Sequence, residues 1–224
     1  MSGDVLVSMK TVRRSELAAL LGGAQGPEQQ RARDLARERA RAVQARLDAA
    51  AGESGGAQGA LGLTVPDALE ELLAGRVAQD VPGAGAAYRR AQIALLAGIG
   101  SEPVLLGSYA APPKALYARM DEEMRALGVP EPLLPYRFLF AGAPEELPLP
   151  EPPDGHPGLG SLPVDRAGAV AEAGRQVAYS LGTTYYAARP LVDALEAAHQ
   201  EWQRALRSGR RDHADLIVFW SDDE

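Results

Sequence analysis

The sequence predicts an α+β fold, mostly helical, in which a small sheet of three or four strands includes both chain termini and is covered by long helices. Three observations lead there. Leu216-Ile217-Val218-Phe219-Trp220 is an unbroken apolar run rich in β-branched and aromatic types between polar flanks, the pattern of a strand buried on both faces. Asp4-Val5-Leu6-Val7-Ser8-Met9 has the same character near the other end. Between them apolar residues recur at three- and four-residue spacings, and 46% hydrophobic but only 5% aromatic residues describe helices packed through small aliphatic side chains. A buried strand at residues 216–220 must pair with something, and the expected partners are Val5–Met9 and the run Phe138-Leu139-Phe140. A sheet that joins both ends leads to one domain over residues 1–224.

After the first strand, Ser15 is placed to cap a short helix with Leu17, Ala18, Leu20 and Leu21 as its apolar stripe, ended by Gly22-Gly23. The longest helical pattern runs from Pro27, at a first-turn position, to about Ala51, with Ala32, Leu35, Ala36, Val43, Leu47 and Ala50 facing inward. Residues 52–62 hold four glycines before Gly62 and read as a flexible loop. Thr64 is the cap of a compact helix that closes before Gly75. Ala84–Ala97 continues helically with Tyr88, Ala91, Ile93, Leu95 and Leu96 buried. Pro113–Leu127 opens after a Pro-Pro pair, stops at Gly128, and carries Leu116, Tyr117, Met120, Met124 and Leu127 on one stripe. Val164–Tyr179 and Thr183–Ser208 are the last two helices, the second lined by Leu191, Leu195, Ala198, Trp202 and Leu206.

Between Pro130 and Pro163 stand ten of the chain's 17 prolines. Each fixes its own φ, removes a donor and biases its predecessor toward extended geometry. With both termini in one sheet there is no second domain to tether, so residues 130–163 are expected to be an ordered extended segment rather than a linker.

Composition removes whole classes of chemistry. The absence of cysteine excludes disulfides, thiolate nucleophiles and cysteine-bound zinc or iron–sulfur clusters, and suits a cytoplasmic protein. The first fourteen residues lack the apolar core of a signal peptide, and no stretch reaches the roughly 18 apolar residues of a membrane span. Phosphate-loop and dinucleotide fingerprints fail, since no lysine lies between Lys10 and Lys114 and neither Gly83-Ala84-Gly85 nor Gly98-Ile99-Gly100 sits in a strand-to-helix turn. No serine stands in a nucleophile elbow. No cofactor is expected.

The order of the N-terminal strand and helix, the helix at Pro66–Ala74, the sequence Glu122-Glu123-Met124-Arg125-Ala126-Leu127-Gly128-Val129, the stretch from Phe140 to Pro148 with Gly155–Gly160 behind it, and the closing apolar strand together resemble an uncharacterised family of actinobacterial cytoplasmic proteins classed as a domain of unknown function. The closing helix and strand also resemble those of the YfbM-like family. Neither resemblance supplies a catalytic residue. The first implies that the proline-rich stretch is an ordered part of the fold.

The chemistry that remains is sparse. The leading expectation is a non-catalytic cytoplasmic protein that binds a protein partner, with an apolar or acidic patch as its surface. The alternative is a small-molecule enzyme or ligand-binding protein with a pocket beneath the proline-rich loop, lined by Arg137, Asp154, His156, Tyr109 and Trp220. A weaker alternative is polyanion binding through Arg31, Arg33, Arg37, Arg41 and Arg46. Residues 1–60 carry nine Lys or Arg against seven Asp or Glu in a chain of net charge −7, which is a weak field for a phosphate backbone. Of the other histidines, His199 follows Glu196 in a single Glu-x-x-His pattern, which falls short of a di-iron set, and His213 lies in a polar turn. No metal is expected.

Overall fold

The computed structural model describes residues 4–21, 26–53, 62–77, 81–143, 150, 152 and 155–223. In chain order the elements are β1 (Val5–Val12), α1 (Arg14–Leu21), α2 (Pro27–Glu53), α3 (Val65–Leu73), α4 (Ala84–Leu96), β2 (Val104–Tyr109), α5 (Pro113–Ala126), α6 (Tyr136–Leu139), β3 (Leu159–Pro163), α7 (Val164–Val177), α8 (Tyr185–Arg207) and β4 (Leu216–Asp223). They form two compact units. One comprises residues 1–14, 101–144 and 158–224, and the other residues 15–100 and 145–157.

The first unit contains the sheet, four antiparallel strands in the order β2-β1-β4-β3. Its centre is the pair that the sequence singled out: β1 and β4 run in register from Val5 opposite Asp223 to Val12 opposite Leu216. Successive residues of a strand face opposite sides. Val7, Met9, Ile217 and Phe219 therefore share one face, and they join a core with Tyr117, Met120 and Met124 of α5, Phe138 and Leu139 of α6, and the inward sides of α7 and α8. Val12, Leu216 and Val218 on the other face are buried too, as a doubly covered strand requires.

The remaining two strands are not those expected. Phe138–Phe140 does not pair in the sheet: Tyr136–Leu139 is a helical turn that buries Phe138 and Leu139. Pro135 leads into it, and the Asp121 carboxylate accepts the Tyr136 amide at 3.1 Å, fixing the start of the turn. The apolar run packs as a helical knob, with Phe138 against Phe219 at 5.5 Å between ring centres. Its place beside β4 goes to Leu159–Pro163, whose Gly160 lies so close to α6 that a Cβ there would sit 2.0 Å from the Phe138 carbonyl oxygen. Regular structure thus forms at both ends of the 130–163 stretch, including a 3-10 turn at Glu131–Leu133. Residues 144–149, 151 and 153–154 of that stretch lie outside the described residues.

The second unit is helical. α2 buries Ala32, Ala36, Ala40 and Val43, a seam narrow enough that Gly98 approaches the Ala32 backbone directly. Leu35, expected inside, is 44% exposed, and Leu47 and Ala50 also fall off the buried stripe, because the seam follows the alanines rather than the larger residues. α3 starts as its sequence predicts: the Thr64 hydroxyl accepts the Asp67 amide at 3.2 Å and donates to the Asp67 carboxylate at 2.6 Å. α1 differs, since the helix begins at Arg14 and leaves Ser15 within it. The Arg14 amide is held instead by the Asp215 carboxylate at 2.8 Å. Gly22-Gly23 and most of the glycine-rich loop lie outside the described residues, and the loop's first two residues extend α2.

Candidate functional site

Two features of the sheet-bearing unit combine exposure with chemistry. The first is a cleft of about 140 Å³ where the C-terminal part of α8 meets the turn before β4. Its apolar wall comes from Val164, Ala198 and Ala205, and its polar wall from Glu201, Arg210 and His213, with Trp202 between them. The Trp202 ring is set by His199, 5.4 Å away between ring centres and inclined by 31°. His199 is itself fixed, with Nδ1 3.1 Å from the Val164 carbonyl oxygen and Nε2 2.9 Å from the Gln203 amide. This packing is close, because a Cβ on Gly168 of α7 would lie 2.6 Å from the His199 ring.

His213 Nδ1 lies 2.9 Å from the Arg210 carbonyl oxygen, which can only accept, so Nδ1 carries the proton and Nε2 presents a lone pair in the neutral ring. Arg210 faces Asp212 at 3.6 Å. The hydroxyl of Ser101, also at the cleft, accepts the Thr11 amide and donates to the Glu102 carbonyl, so it is committed to the backbone and is no activated nucleophile.

The second feature is a tyrosine patch at the start of α8. Tyr179 is 91% exposed and Tyr186 83%, and Tyr185 joins them with ring centres 6.1 Å and 5.5 Å away. The turn that presents them is pinned from α5: the Glu123 carboxylate accepts the Thr184 hydroxyl at 2.6 Å, the Gly182 amide at 3.1 Å and Arg119 at 3.2 Å. These bonds, the Thr184 hydroxyl foremost, hold the Glu123 carboxyl below its ordinary range. Arg189 lies one helical turn on from Tyr185, donates to its hydroxyl at 3.4 Å, and stays cationic above its usual range through that bond. Pro190, which has no N–H, leaves the Tyr186 carbonyl without its intrahelical donor.

The five residues expected to line a pocket are not gathered in one place. Arg137 is exposed on α6. Tyr109 packs on the core beside Tyr117, its hydroxyl 3.3 Å from that of Tyr117 and its pKa raised by burial. Trp220 points to the opposite face of β4 from Phe219, so the sheet separates it from Tyr109. His156 belongs to the other unit, and Asp154 lies outside the described residues.

On α2 the arginines do not share one face, since at about 100° per residue Arg31 and Arg46 flank one side of the buried seam and Arg33, Arg37 and Arg41 the other. Arg37 is taken by Glu70 of α3, with Nε 2.7 Å and Nη2 3.1 Å from its two oxygens, and Arg33 donates to the Leu20 carbonyl at 3.0 Å. The Glu196 carboxylate pairs with Arg175 at 2.6 Å rather than with His199. Among the described residues no group of three or more His, Asp or Glu side chains could hold a metal ion, and no helix is long and apolar enough to cross a membrane.

Neither feature was visible in the sequence. The cleft draws on segments around residues 11, 101, 164, 198–205 and 210–214, whose proximity only the sheet creates. Adjacent tyrosines at 185 and 186 are the one signal that could have pointed to the patch, and sequence cannot tell an exposed ring from a core one. Compared with known proteins, the chain matches one family model over residues 4–221. No curated protein and no solved structure matches it.

Proposed function

From the premise that the chain belongs to the family described as Domain of unknown function (DUF7691), we propose a non-catalytic protein-interaction role, with the tyrosine patch at the start of α8 as the docking surface. The observation that carries this reading is the exposure of Tyr179 and Tyr186 in one contiguous group of three rings. Large rings in water are costly to maintain unless something covers them, and tyrosine offers wide contact area with little entropy to lose. The turn that bears them is held by two bonds to Glu123, from the Gly182 amide and the Thr184 hydroxyl, so the surface is organised before any partner arrives. Its chemistry selects the partner. Aromatic faces next to the Tyr186 carbonyl, which Pro190 cannot serve, and the Arg189 guanidinium, whose loose exposed pair with Asp193 at 3.8 Å is open to exchange, suit an extended protein segment that brings proline or aliphatic groups to the rings and a carboxylate to the arginine.

A cytoplasmic location belongs to the same proposal and is supported by the absence of cysteine. An actinobacterial origin and kinship of the closing helix and strand with the YfbM-like family belong to it as well, supported by the motifs that carry those resemblances. No cofactor enters.

The test compares quantitative affinity capture by the wild type with capture by a Tyr179→Ala, Tyr186→Ala double variant. Both side chains are exposed, so the thermal unfolding midpoint of the variant should stay within a degree or two of the parent. The expected result is a specific protein recovered at least about tenfold less by the variant, in line with the loss of two aromatic anchors. Identical recovery of every captured protein by the two forms would end the proposal.

A further inference from the structure

We propose that the cleft between α8 and the turn before β4 binds a small organic cation, an amine or guanidine carrying a short aliphatic chain. The site is separate from the tyrosine patch, and the two ideas stand or fall independently.

Size sets the first limit. A cavity of about 140 Å³ is close to the ~150 Å³ that admits benzene in an engineered core, so the occupant has at most about eight non-hydrogen atoms. Charge sets the second. Glu201 lines the cleft and its carboxylate makes no hydrogen bond or ion pair among the described residues. Asp212 offsets Arg210 at 3.6 Å, so the lining as a whole is left with one uncompensated negative charge. An anion would have to displace Asp212 from Arg210 and sit against Glu201, and the Ser101 hydroxyl has no proton to offer it because it already donates to the Glu102 carbonyl.

A cation meets complementary groups in the same space. The Trp202 indole supplies a π face, the most favourable among the aromatic side chains for a cation, and its ring is held by an inclined contact with His199. Glu201, next to it on α8, supplies the counter-charge. With Nδ1 bonded to the Arg210 carbonyl, His213 offers Nε2 as an acceptor for an N–H of the ligand. Val164, Ala198 and Ala205 give an apolar wall for methylene groups. An amine or guanidine on a three- or four-carbon chain fills each of these roles.

The chain has two tryptophans, so a Trp220→Phe background leaves Trp202 as the sole indole reporter. Titration of its fluorescence with propylguanidinium and butylammonium, against 1-butanol and butyrate as neutral and anionic matches, tests the charge preference, with calorimetry on the unmodified protein as a check independent of that background. Saturable binding of the cations at least tenfold tighter than of either match is expected, and Glu201→Gln should weaken it at least fivefold while leaving thermal unfolding unchanged. Absence of saturable cation binding, equal affinity for butanol, or an unaltered affinity in Glu201→Gln would each overturn the assignment.

Discussion

Burial holds the Asp121 carboxyl up at about 6, even though it accepts the Tyr136 amide and lies near Arg125. Its folded-state pKa therefore exceeds the ordinary value of 3.8 for the free side chain, so the folded protein binds this proton more tightly than the unfolded chain. The resulting stabilisation is complete below about 3.8 and is lost as the pH rises through about 6. Asp121→Asn keeps an acceptor for Tyr136 and removes the charge. The variant should match the parent near pH 4, gain on it progressively as the pH rises from about 4 to about 6, and hold a level advantage above that, measured by urea unfolding at each pH; a constant difference between the two would contradict this. Nothing in the sequence marks Asp121, which reads as one more polar residue between Met120 and Glu122. Burial of a carboxylate depends on what packs over it, here the turn at Tyr136, and local pattern carries no record of that.

At the scale of elements, legibility followed the strength of the local signal. β4 declares itself through five consecutive apolar residues, and α3 through a cap, a first-turn proline and a terminal glycine. β2 and β3 do not. Val104–Tyr109 contains Gly107 and Ser108 and exposes Leu105, while Leu159–Pro163 contains Gly160, Ser161 and a closing proline. Both are edge strands, where weak formers and proline are tolerated because only one side must be paired. The same logic explains why Leu127 and Leu206, placed on apolar stripes by spacing, are exposed at 43% and 46%: each lies at or just beyond the end of its helix, past the packed core. The β3–α6 contact yields a prediction of its own. Gly160→Ala puts a methyl group into the backbone of Phe138 and Leu139, and it should lower stability by about 1–3 kcal/mol or more in chemical denaturation. Gly52→Ala in α2, where a Cβ meets nothing within 4 Å, should instead be neutral or stabilising by up to about 1 kcal/mol. Equal effects at the two positions would refute the account of β3 packing.

At the scale of the whole molecule, the α+β class and the union of residues near both ends in one sheet were readable because they rest on two strong strands; the division into two compact units was not, because it depends on contacts among segments far apart in sequence. We retain as a proposal that the chain unfolds as a single domain. Its support is covalent: residues 15–100 leave the sheet-bearing unit between β1 and β2, and residues 145–157 leave it again between α6 and β3, so neither unit is one continuous stretch of chain. Calorimetry should show one transition with equal calorimetric and van't Hoff enthalpies, whereas two separable transitions would reject the proposal. The point where residues 15–100 depart and return is closed by a small clasp, the Thr11 amide on the Ser101 hydroxyl at 3.1 Å and the Ser101 amide on the Thr11 carbonyl at 2.9 Å. Whatever length of chain is spliced between those two residues, the sheet sees the same pair of ends. Closing a longer excursion costs only about 0.6 kcal/mol for each doubling of its length. That segment is therefore where insertions and deletions can accumulate over evolutionary time, or be engineered, at the least expense to the strands that flank it.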